Sequence, residues 1–179
     1  MKFKKLVFNL TTWVIISGII FAFTSTSAFA KYYRYGYDLY RIPYKVVDTG
    51  GFDWYVDKAA DSWEYTVGTN FSKISNSSNK VRIVSDNYTW LGLYSPQISN
   101  GKVLAFRIDI NWDRISRSYG WQGILSVITH EFGHALFLGD YEVGEGWGNK
   151  SIMSHERDRT KIYTPQTHDI NEVHSYMNR

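Results

Sequence analysis

The feature that most limits what this chain can be is a pair of histidines, His130 and His134, set four residues apart in a stretch of helical periodicity. Ile124, Leu125, Ile128, Phe132, Ala135 and Leu136 supply one broad apolar face, so the spacing predicts a helix from Gln122 to Leu138 that Gly139 stops. Residues four apart on a helix share a face one turn apart, so both imidazoles can point at one ion. Glu131 follows the first histidine directly and stands near such an ion without being needed to hold it, which is the place for a general base. The chain contains no cysteine. Thiolates are therefore excluded as ligands and nucleophiles, leaving His, Asp and Glu for a metal site. The competing reading of the pair is two exposed histidines on a structural helix.

A third ligand is required, and Asp140 is the candidate: it stands ten residues after His130, just beyond the Gly139 that lets the chain turn back. Zn²⁺ is the expected ion, since it accepts imidazole and carboxylate and brings the pKa of a water down to about 7. Glu131 would take the proton of that zinc-activated water as it attacks a peptide carbonyl, then pass it to the departing amine.

The run His130-Glu131-Phe132-Gly133-His134-Ala135-Leu136-Phe137-Leu138-Gly139-Asp140 resembles the metzincin zinc motif, most of all in its matrixin form. The family carries a third histidine where Asp140 stands, and secreted bacterial members similar to snapalysin use an aspartate there. One departure bears on the geometry: the family glycine three residues after the second histidine is replaced by Phe137. A bulky side chain resists positive φ, so Gly139 is expected to make the turn instead. Ser151-Ile152-Met153-Ser154 is similar to the family's methionine turn, with Met153 beneath the metal. His155 falls where astacin-like and serralysin-like relatives place a tyrosine, so the resemblance implies an oxyanion role for it, or ligation in place of Asp140, against the plain reading of an exposed histidine beside Glu156. The segment Tyr163 to Ile170 resembles the start of the final matrixin helix. A thermolysin-like alternative would take its third ligand from Glu156 or Glu172.

The resemblance implies an α+β fold: one metzincin-like domain with a twisted, mixed five-stranded sheet, an active-site helix and a C-terminal helix. Substrate would be polypeptide bound extended along an antiparallel edge strand, with Val103 to Ile110 or its neighbour supplying the edge. The elements legible directly are strands at Tyr40 to Val47, Phe71 to Ile74, Val81 to Val84 and Val103 to Ile110, and helices at Phe52 to Thr66 and from Thr164-Pro165 onward. A turn is expected at Asp48 to Gly51. Asp109 and Asp113 could serve calcium or a plain turn.

Residues 1–30 read as an export signal. Lys2, Lys4 and Lys5 precede an apolar run, and Ala28-Phe29-Ala30 offers a cleavage pattern; an uncleaved anchor is the competing reading. Residues 31–179 then form a single zinc metallopeptidase domain, secreted and monomeric. Removing the three leader lysines leaves 17 Lys and Arg against 17 Asp and Glu. A formally neutral chain gives no ground for a nucleic-acid or membrane partner. Two other functions fit the same residues: a secreted zinc-binding module of this fold, and a hydrolase of non-protein amide crosslinks.

Overall fold

The computed structural model describes residues 31–47 and 51–179. The expected export signal at residues 1–30 and most of the turn expected at Asp48 to Gly51 lie outside the described residues. In chain order the elements are strand β1 (Arg41–Val47), helix α1 (Asp53–Val67), β2 (Asn70–Lys73), β3 (Lys80–Val84), β4 (Gly92–Ser99), β5 (Lys102–Asn111), α2 (Trp112–Ser118), α3 (Trp121–Ala135) and α4 (Thr167–Met177).

The five strands make one sheet in the order β2-β1-β3-β5-β4, parallel except for β4, which runs antiparallel to β5. Local chemistry explains the exception. Parallel neighbours need a long crossover, which α1 supplies between β1 and β2. By contrast, β4 and β5 meet in a two-residue hairpin at Asn100-Gly101, both with positive φ (49° and 74°), the backbone that such turns require. Pro96, which has no N–H to give, sits within β4, where a free edge tolerates it. The edge strand is therefore β4; Val103 to Ile110 belongs to β5, one place further in.

Helices α1 and α3 lie side by side against the sheet. α1 buries Val56, Ala59, Ala60, Trp63 and Val67, the stripe read from its spacing. The Trp63 indole Nε1–H donates to the Thr129 carbonyl of α3 at 2.9 Å, so the largest core side chain satisfies its one polar atom where the helices touch. Every residue of α3 from Gly123 to Ala135 is buried. Such a helix can carry polar side chains only where partners or a ligand await them.

Helix α3 ends at Ala135, earlier than its apolar pattern suggests, and the turn that follows is made by Phe137 at φ 68°. The expectation that Gly139 would turn the chain is overturned. Phe137 is held in the left-handed region by its surroundings: its ring stacks on Tyr32 at 5.4 Å, and the Tyr33 N–H donates to its carbonyl at 2.7 Å. Gly139 is needed for a different reason, because a Cβ there would stand 2.5 Å from the Lys31 carbonyl oxygen. Residues 31–38 thus form a strap across the end of α3, secured further by Tyr37 N–H to Ala135 O and Gly139 N–H to Lys31 O.

Candidate metal and catalytic site

His130 and His134 project from the buried face of α3, and each is oriented by a main-chain carbonyl. His130 Nδ1 lies 3.0 Å from Ile152 O, and His134 Nδ1 lies 2.9 Å from Leu138 O. A carbonyl can only accept, so each Nδ1 carries the proton and each Nε2 presents a lone pair. Those two Nε2 atoms stand 3.1 and 3.6 Å from a single oxygen, Asp140 Oδ1. His155 brings its own Nε2 to 3.3 Å from the same oxygen. Asp140 Oδ1 is buried and has no hydrogen-bond donor.

Burial, aided by the charge of Arg157, pulls His130 down to about 3 against the opposing pull of Asp140; burial likewise lowers His134. Both rings are therefore neutral near pH 7. Burial would raise Asp140, but the imidazoles of His130, His134 and His155 that face it hold its carboxyl well below the usual range. Lone pairs and a carboxylate oxygen thus converge with no proton among them, an arrangement that a cation relieves. The donor atoms of His130, Asp140 and His155 all lie within 4.8 Å of one another, as do those of His130, Glu131 and His134, and either group could hold a metal ion.

Glu131 is 4 % exposed and lies against the first residue of β4, where a Cβ on Gly92 would meet its Oε1 at 2.5 Å. Burial, then the charge of Asp140, pushes its carboxyl up to about 8, with Arg157 and the Tyr94 backbone pulling the other way. A cation at the histidines would lower it again and favour the charged carboxylate.

The turn at Ser151 to Ser154 lies below. Met153 is fully buried, and its Sδ packs on Gly133, between the two histidines of α3. Asp169 fixes this turn to α4: its carboxylate accepts from Ser151 Oγ and from the Ile152 and Gln166 N–H groups, so one side chain both caps α4 and steadies the carbonyl that orients His130.

The fold thus brings together His130, Glu131, His134, Asp140 and Met153, and turns His155 inward towards Asp140 while its Nδ1 reaches Glu142 at 3.2 Å. Glu172 is elsewhere, bonded to Tyr141 and His168. Asp109 is taken up by Arg82 and Arg107. Tyr33 was not foreseen. Its ring lies 5.2 Å from that of His134, and burial with the charge of Asp140 raises its phenol pKa. Residues 31–38 carry no periodic pattern, so no sequence signal placed it here. Arg157, 4 % exposed and four residues past Met153, was missed as well.

No protein-family model matches the chain, and no curated protein matches it in sequence. Solved structures do. The structure of myroilysin aligns with a TM-score of 0.56 at 11% identity, covering 84% of this chain and 98% of that one. A GM1-bound form of the ECX AB5 holotoxin aligns at 0.55 with 15% identity, over 81% and 85%. High choriolytic enzyme 1, a hatching enzyme zinc-protease from the medaka fish Oryzias latipes, gives 0.48 at 15% identity, over 83% and 94%. At these identities the first two likenesses are of fold alone: an α+β single domain built on a mixed five-stranded sheet.

Proposed function

We propose that this chain is a secreted zinc endopeptidase, with His130, His134 and Asp140 holding the ion and Glu131 acting as general base. The observation that carries the proposal is the convergence of two imidazole lone pairs and the donorless Asp140 Oδ1, a set of acceptors that fits Zn²⁺ in number and type. When bound, zinc would supply Lewis acidity, lowering the pKa of a water to about 7 and polarising the carbonyl to be attacked.

The rest of the chemistry falls to the chain's own groups. Glu131 accepts the proton of the attacking water at its carboxylate and delivers it to the amine as the peptide bond breaks. Gly92 leaves the carboxylate room, and the start of β4 passes directly beside it. Among the described residues no strand pairs with the outer side of β4, so an extended polypeptide can add there with its backbone carried past Glu131. His155 lies close enough to steady charge developing on the carbonyl oxygen. The leader read in residues 1–30 supports action outside the cell.

The test is zinc content together with cleavage of an unfolded protein by residues 31–179, with and without Glu131→Gln. Stoichiometric zinc in both proteins and hydrolysis by the unaltered one alone is the expected result. Absence of zinc overturns the proposal. Zinc with equal behaviour of both proteins favours a binding module.

A further inference from the structure

The cleft of about 320 Å³ that takes in His130 and Glu131 is lined also by Trp90, Leu91, Arg157 and Arg159. Two guanidinium groups therefore face a space continuous with the site of chemistry. Arg157 is the more buried. Its Nε donates to Ser126 Oγ at 3.0 Å, its Nη1 to Ser154 O at 2.7 Å and its Nη2 to Ser126 O at 3.4 Å, all neutral acceptors. A guanidinium has five N–H donors, so about two of its donors are left over.

Arg159 is steadied over the Tyr119 ring at 5.8 Å, and its buried Nε has no hydrogen-bond partner. Among the described residues neither arginine has a carboxylate within ion-pair distance. The carboxylates that act on Arg157 from further away are all committed: Glu131 to proton transfer, Asp140 to the histidines, and Asp169 to Ser151, Ile152 and Gln166. Burying a charge without a counter-ion is costly unless a ligand brings one.

We infer that the arginine cleft binds a carboxylate of the substrate beside the bond that is cut, making this an enzyme for acidic peptide sequences. The inference rests on the peptidase reading above and adds its substrate class. The carboxylate could belong to an Asp or Glu side chain within the peptide or to a free chain end. The fork of a guanidinium suits either, since both present two coplanar oxygens.

The experiment begins with cleavage of a mixed peptide library by the zinc-loaded protein, the cut sites being read by mass spectrometry. Matched peptides follow, Glu against Gln at the enriched position and free acid against amide at the C-terminus. The expected result is enrichment of Asp and Glu at one position near the cut, with a kcat/KM about tenfold to a hundredfold higher for Glu than for Gln, the range a charge-assisted hydrogen bond commands. Preference for the free acid over the amide, with no Glu preference, assigns the carboxylate to the chain end. In Arg159→Gln the preferred ratio falls towards one, and a folded Arg157→Lys protein loses part of it, because a point charge replaces a fork. Cleavage with no carboxylate preference overturns this inference alone. No cleavage of any peptide by zinc-loaded protein overturns the peptidase reading and this inference with it.

Discussion

The sulfur of Met153 occupies the space that a side chain at Gly133 would need: a Cβ there would stand 2.5 Å from Sδ and 3.4 Å from Trp63 Cζ2. Gly133 lies between the two histidines, so their spacing from the turn below depends on its having no side chain. Gly133→Ala should destabilise the fold by about 1–3 kcal/mol through overpacking and weaken metal retention together. Met153→Ala opens a cavity instead, at a cost of about 2–5 kcal/mol. Urea denaturation and zinc content of the two variants check this; a Gly133→Ala protein as stable as the parent contradicts it.

Asp140 and His155 compete for one role. His155 is 40% exposed and tethered to Glu142, whereas Asp140 Oδ1 faces both helix histidines. Asp140→Ala is expected to lose zinc on dialysis, while His155→Ala keeps it and loses turnover. The reverse pattern would make His155 the third ligand.

Phe137 offers a direct measure of backbone strain. At φ 68° an alanine suffers the same steric cost as any L-residue, while glycine does not. With the ring removed in both, Phe137→Gly should be more stable than Phe137→Ala by about 1 kcal/mol, less than the full steric cost because glycine also frees the unfolded chain. Equal midpoints in thermal unfolding would show that the turn relaxes once the ring is gone.

Metal-free protein should carry a pH signature from the same buried groups. Glu131 is raised to about 8, so the folded state binds a proton more tightly than the unfolded one; that stability is complete below about 4.5 and is lost as pH rises through about 8. His130 is lowered to about 3, so the unfolded chain takes up the proton first, and stability is lost as pH falls from about 6.5 towards 3. In excess chelator, Glu131→Gln should therefore remove the part of the decline in urea midpoint that sets in as pH rises from about 4.5 to about 8, and keep the loss on acidification that His130 causes. A variant that tracks the parent between about pH 6.5 and 8 refutes the assignment.

Much of this was legible in advance, and the failures have physical causes. The helix carrying His130 and His134 was readable because full burial imposes period and composition together. Its end was not, because the pattern of Leu136 and Leu138 continues past the last helical residue, and only tertiary contacts from Tyr32 and Tyr33 hold Phe137 in a conformation its own chemistry disfavours. Strand β4 escaped notice because Gly92, Pro96 and alternating polar residues weaken its pattern. The Asn100-Gly101 pair, a strong hairpin signal, would have revealed it.

The site divides the same way. The candidate ligands, close in sequence, could be proposed from spacing together with the motif they resemble. Tyr33 and Arg157 reach the site through long-range packing, and their local sequence carries no trace of it. Helix α2 is short and follows β5 without a break, so neither turn chemistry nor length announced it.

The strap at residues 31–38 gives the site a partner in unfolding. Tyr33 lies on the His134 ring, and the neighbouring hydrogen bonds pin the Phe137 turn just before Leu138, whose carbonyl sets that ring's tautomer. The strap and the end of α3 are therefore expected to open as one cooperative unit, not as a fraying tail beside a rigid helix. In hydrogen exchange the amides of Tyr33 and Tyr37 would report the integrity of a histidine a hundred residues away in sequence. A cut within the strap would register first as a loosened imidazole, before any wider loss of structure.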